Sequence, residues 1–361
     1  MSKEFSIGSI SEKIMEEHDI ISSDGLETIK FPKLEVPKGI NYVLTDDPEK
    51  DPAKLILIAI KEGLSALMIW PKGTGKTTTA GFVAQELNRP LSYLQLTGAT
   101  NVDSFVGKWL VNKEGTYWVD WILTRAMKFG HVLVLDELNQ ALPEITSVLH
   151  SVMDERQILV LDEKGAGEVI KAHKDFRIIA CINPTEDYAG NKEMNQALVD
   201  RFKVVVAVDY PDARKELAIV LKNSRVKITD SNTATFRKSP SGGLVKNRSA
   251  AGVITRMVRL ANQFRKDKAA NKFAYEISTR NLIDWAVLCS YLPIKEAAKY
   301  SFINKMEVQE SELNKFMDSL DKEFSDGETF KIGKQEVDED TSIETTSEEE
   351  VEIQEVNIPN I

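Results

Sequence analysis

The stretch Leu64-Ser65-Ala66-Leu67-Met68-Ile69-Trp70-Pro71-Lys72-Gly73-Thr74-Gly75-Lys76-Thr77-Thr78 decides the architecture. Its apolar run, Leu64–Trp70, has the pattern of a strand buried on both faces. Two glycines follow, and Lys76–Asn88 reads as a helix. In that context successive backbone N–H groups can converge on a phosphate, and the helix N-terminus adds its positive dipole end. Lys72, Gly73, Thr74, Gly75, Lys76, Thr77 and Thr78 are therefore the expected ATP-binding loop. Lys76 would reach the β- and γ-phosphates, and the Thr77 hydroxyl would ligate Mg²⁺. The bland alternative is a flexible glycine turn before a helix. One position departs from the full G-x-x-x-x-G-K-[ST] pattern: Trp70 stands where its first glycine falls, and a side chain there is expected to crowd the exit from the strand.

Working outward, Val132-Leu133-Val134-Leu135-Asp136-Glu137 is an apolar strand ending in two carboxylates. Asp136 is the second expected Mg²⁺ group, acting through water, and Glu137 the expected general base for an attacking water. A further strand, Phe176–Ile182, ends in Asn183-Pro184. Asn183 can orient the lytic water or touch the γ-phosphate, or the pair is only a turn. Asp200-Arg201-Phe202 closes a helix before the next strand. Arg201 is a candidate arginine finger for a neighbouring subunit, or a surface arginine at a helix C-terminus. Ser278-Thr279-Arg280 opens a later helix, and Arg280 either leans over the γ-phosphate of its own chain or forms a salt bridge.

Strands at Leu91–Gln95, His131–Leu135, Phe176–Ile182 and Lys203–Val208 alternate with helices, which predicts an α/β fold: a parallel sheet covered by helices on both faces. Val102–Thr124 reads mostly as a loop or small hairpin. After Tyr210 the pattern is helical, with helices at Asp212–Leu221, Ser249–Lys266, Thr279–Tyr291 and Ile294–Lys322. The expected division is an N-terminal arm (1–39, with a short helix near Ser11–Ile20), an α/β nucleotide-binding core (40–211), a small α-helical lid domain (212–326) holding a basic polar loop (223–248), and an acidic tail (327–361) too polar to fold.

The net charge is −10, and residues 335–361 hold ten acidic residues and no Lys or Arg, so the remaining 334 are neutral as a group. The acidity describes a tail. Two cysteines, Cys181 and Cys289, argue against a disulfide framework and suit a reducing cytoplasm, where both read as small buried hydrophobes. No run reaches the length of a membrane span, nothing reads as a secretory signal, and no Cys or His spacing suggests zinc.

With these motifs in this order, the chain resembles AAA+ ATPases of the helix-2-insert branch, which includes MoxR-type and cobaltochelatase CobS-type proteins. Asp162–Lys171 lies where a β-hairpin inserted in a helix is expected, with Gly165 and Gly167 at its tip. The nearer likeness is to the CobS type, carried by His173-Lys174-Asp175-Phe176-Arg177, Tyr188-Ala189-Gly190, Asn195-Gln196-Ala197, Asp200-Arg201-Phe202, Ile277-Ser278-Thr279-Arg280, Trp285-Ala286 and Phe302-Ile303-Asn304-Lys305. Asn183-Pro184 is closer to the MoxR form. The resemblance implies a ring, expected to be a homo-hexamer, with ATP between subunits and Arg201 acting in trans. It also implies a separate partner protein, of the kind that carries a von Willebrand-type metal-adhesion domain. Remodelling of a partner protein is the leading functional expectation. The alternatives are a motor for a cobalt or metal chelatase, a nucleic-acid motor, and an ATP-binding scaffold with weak turnover. The nucleic-acid reading rests only on the basic residues Arg225, Lys227, Arg237, Lys238, Lys246 and Arg248, without interleaved aromatics, so nucleic acid is not the expected partner.

Overall fold

The structure, a computed structural model, describes residues 36–44, 51–113, 115–164, 167–183, 194–224, 235–238, 244–247, 250–270 and 272–329. The expected helix near Ser11–Ile20, most of the N-terminal arm, Pro184, Tyr188–Gly190, Gly165 and nearly all of the acidic tail lie outside them.

The first half is an α/β unit. In chain order it contains α1 (Pro52–Lys61), β1 (Ala66–Ile69), α2 (Lys76–Glu86), β2 (Leu91–Gln95), β3 (Gly107–Asn112), β4 (Gly115–Asp120), α3 (Ile122–Phe129), β5 (Val132–Asp136), α4 (Pro143–Val152), β6 (Ile158–Leu161), β7 (Glu168–Lys171), β8 (Arg177–Ile182), α5 (Gln196–Val199) and β9 (Val204–Ala207). Strands β2, β5, β8, β1 and β9 form one sheet in that order, and every pairing is parallel. Side-chain alternation sorts its residues between two cores. Met68, Val132, Val134, Ile179 and Cys181 pack under α1 and α2. Leu67, Leu133, Leu135, Ile178 and Ala180 pack with α3 and α4 on the other face. Both faces are covered, as the near-continuous apolar strands require.

Two antiparallel hairpins decorate this unit. Strands β3 and β4 pair from Gly107↔Asp120 to Asn112↔Gly115, in the segment expected to be a loop or small hairpin. Strands β6 and β7 form the other, pairing Ile158↔Lys171 through Leu161↔Glu168. The expected hairpin at Asp162–Lys171 is therefore longer, and it follows α4 rather than interrupting it. Trp109 Nε1 donates to Glu163 O at 2.8 Å and ties the two hairpins together.

The second half is helical: α6 (Ala213–Asn223), α7 (Ala250–Ala269), α8 (Thr279–Leu288), α9 (Ile294–Ser301) and α10 (Glu310–Glu323). The segment expected as a loop, 223–248, holds an antiparallel pair, β10 (Thr235–Lys238) and β11 (Leu244–Asn247). The single helix expected over Ile294–Lys322 is broken after Ser301. Phe302 leaves helical geometry at φ −149°, and its ring meets Trp285 and Phe316 edge-on at 5.3 and 5.8 Å. A straight helix could not fold Phe316 back onto the same cluster, so burial of the aromatic rings overrides helix continuity. This helical core is separate from the two sheet cores.

Candidate active site

Parallel pairing brings the C-terminal ends of β1, β8 and β5 to one edge of the sheet, where open α/β sheets place their ligand crevices. The turn from β1 into α2 needs left-handed backbone at Gly73 (φ 71°) and Gly75 (φ 93°), which glycine adopts without strain. Gly73 is further constrained by space: a Cβ there would meet Ser278 Oγ at 2.7 Å. Ser278 caps α8 in a capping box with Asn281, so the start of α8 rests directly on this loop.

Lys76 points along the edge. Its Nζ donates to Trp70 O at 3.1 Å and to Asn183 Oδ1, linking the ends of β1 and β8. Burial lowers the pKa of the Lys76 ammonium, and Asp136 is the main opposing charge. On the other side of β8, Asp136 Oδ1 accepts the Glu137 N–H at 2.9 Å, and Asp136 Oδ2 accepts the Tyr93 hydroxyl at 2.6 Å. Glu137 itself lies in the left-handed region at φ 54°, a strained setting of the kind that clusters at functional sites.

A cavity of about 700 Å³ lies over this edge, lined by Lys76, Thr77, Asp136, Glu137 and Asn183 from the sheet side and by Arg280 from the helical side. A second, of about 510 Å³, continues past Gly73 and Gly75 toward Tyr42, Trp70, Ile219 and Ile283, and Arg280 borders both. Trp70 is 3% exposed. It does not adopt positive φ, and its N–H bonds to Ile182 O at 3.1 Å, so the strand extends through it without a glycine. The expected crowding is relieved because the indole turns into the core beside α1 and α2. Its Nε1 has no partner among the described residues.

Arg201 lies outside both cavities. Its guanidinium donates to Ala197 O at 2.6 Å and to His150 O at 3.3 Å, near the end of α5. Lys72 contributes its carbonyl, which accepts the Tyr210 hydroxyl at 3.2 Å. The Arg265 guanidinium stacks on the Tyr210 ring at 3.8 Å. It also forms a bidentate pair with the fully buried Glu216, at 2.7 and 2.8 Å, and Glu216 accepts the Thr279 hydroxyl at 2.6 Å. This network joins the backbone of the turn between β1 and α2 to the residue preceding Arg280.

Tyr42, Tyr93, Tyr210 and the Glu216–Arg265 pair were not expected from sequence. Period-2 alternation puts Tyr93 on the same face of β2 as Gln95, but only the strand order shows that β2 borders β5. Cys181 and Cys289 are both buried and free, and burial pushes both thiols up.

The glycine turn from β1 into α2, the acidic strand end and the flanking helical unit define a P-loop nucleotide-binding protein of the AAA+ class. Residues 65–202 match the AAA domain (dynein-related subfamily), and residues 246–321 match the CbbQ/NirQ/NorQ C-terminal domain. The chain belongs to this family and is an AAA+ ATPase of the CbbQ/MoxR type. A Staphylococcus epidermidis protein, SERP0979, is 31% identical over 67% of this chain and 84% of its own length. YojN of Bacillus subtilis is 29% identical over 70% of this chain and 75% of its own. Protein CbbQ of Hydrogenophilus thermoluteolus is 36% identical over 43% of this chain and 57% of its own. No described helix is long and apolar enough to cross a membrane.

Proposed function

We propose that the chain binds ATP with Mg²⁺ in this cleft, hydrolyses it, and uses the cycle within a homo-hexameric ring to remodel a separate partner protein. The observation carrying this reading is the convergence of Lys76, Asn183, Asp136 and Glu137 at one sheet edge, beneath Arg280.

The donor set fits the ligand. The Thr77 hydroxyl and the Asp136 carboxylate line one cavity and are the hard oxygen donors that a magnesium takes beside phosphate oxygens and water. Thr77 and Asp136 would hold it, and the bound ion would supply charge neutralisation at the phosphate oxygens. Lys76 binds the terminal phosphates, and Asn183 orients both Lys76 and the attacking water. Glu137 accepts that water's proton. Arg280 reports the phosphate state to the helical unit, and Arg201 of a neighbouring subunit completes the site, since it stands outside the cavity of its own chain.

ATP turnover by the purified chain, its loss in Glu137→Gln, and the mass of that variant with ATP test the reading together. Turnover with a ring-sized particle is expected. A persistent monomer would remove the trans role of Arg201, and no turnover would leave the scaffold alternative standing.

A further inference from the structure

Tyr93 is a group at the site that the motifs do not supply. It lies mid-strand on β2, an edge strand of the sheet, where the register sets Tyr93 beside Val134 and Gln95 beside Asp136. Its hydroxyl donates to Asp136 Oδ2 at 2.6 Å, a short charge-assisted bond. Asp136 Oδ1 is taken by the Glu137 N–H. The carboxylate is thus gripped at both oxygens and cannot turn without breaking one of the two bonds.

We propose that Tyr93 is a positioning residue that presets the magnesium site, an inference that rests on the ATP–Mg²⁺ reading above. The Tyr93 hydroxyl holds Asp136 in the orientation that engages the Glu137 backbone, so one tyrosine sets the acidic metal-side group and the residue that follows it. This fit of hard oxygen donors needs no change in the protein when the cation arrives.

The test is a Mg²⁺ titration of the binding of a fluorescent ATP analogue, on the full chain carrying Glu137→Gln to prevent turnover. Tyr93→Phe keeps the ring and removes the hydroxyl, and at 39% exposure the residue tolerates the change. The Mg²⁺ concentration for half-maximal binding is expected to rise about tenfold, the scale of one lost charge-assisted bond. Binding of the analogue in EDTA is expected to stay the same. Gln95→Met, on the same strand face, is the control and should leave the titration unmoved. An unchanged or lowered Mg²⁺ requirement in Tyr93→Phe overturns the inference, as does an equal shift in Gln95→Met. Absence of binding by the parent chain, with or without Mg²⁺, overturns the underlying ATP reading as well.

Discussion

The two walls of the cleft are built by different means. On the proposed phosphate side, one contiguous loop and the ends of three strands supply the polar groups, and the main chain positions them. Positive φ at Gly73 and Gly75 and the parallel register of β1, β8 and β5 do that work. On the opposite side, Tyr42, Trp70, Ile219 and Ile283 come from four separate stretches and are held by packing. Tyr42 shows how: it stacks on Phe82 at 4.8 Å and donates to the buried Asp51 at 2.8 Å, which also pairs with Lys215 of α6 at 3.3 Å. Chemistry and shape are therefore separable in this cleft. A functional group can be removed from the first wall with the fold intact, and volume can be removed from the second with every functional group in place.

The largest expected effect is on the first wall. Glu137→Gln should lower ATP turnover about a hundredfold to ten-thousandfold, the range for losing a general base. Nucleotide affinity and melting temperature should hold, and a coupled assay beside a melting curve reads both. A large fall in melting temperature would break the comparison. On the second wall, Trp70→Gly restores the glycine of the full loop pattern yet removes a buried ring. It should destabilise the chain by about 3–5 kcal/mol, read as a shifted denaturant midpoint, because the pattern's glycine is not what this strand exit uses.

The network between the walls comes next. Glu216→Gln leaves Arg265 buried without its countercharge and should cost about 3 kcal/mol. Nucleotide affinity should weaken too, since Thr279 beside Arg280 is left with a neutral amide acceptor in place of the carboxylate, and calorimetric titration checks it. Unaltered affinity with lowered stability would make the network a support for the helices alone. Smallest is Tyr210→Phe, which removes one hydrogen bond to the Lys72 carbonyl. About 1 kcal/mol, or roughly fivefold in nucleotide affinity, is the expected loss.

The same division explains what was legible in the sequence. Strands β1, β5 and β8 announce themselves through continuous apolar runs, and the glycines, Lys76 and the acidic pair signal chemistry through local main-chain requirements. Residues 158–171 were harder, because short strands give little periodicity and the turn residues marked only the hairpin's far side. The break at Phe302 was hidden: Ile294–Lys322 keeps helical spacing throughout, and only three-dimensional ring packing interrupts it. Tyr93 and Tyr42 were silent for a related reason. Each reaches the cleft through strand order or long-range stacking, neither of which has a local signature.

Glu137 has one more consequence. Its left-handed backbone, φ 54°, costs a non-glycine residue about 1–2 kcal/mol. Asparagine tolerates that region better, so Glu137→Asn should melt later than the parent chain while losing the proposed base. Gln at the same position keeps the strain and gains nothing. A screen that ranked variants of this chain by thermal robustness alone would thus favour a molecule disarmed at its centre.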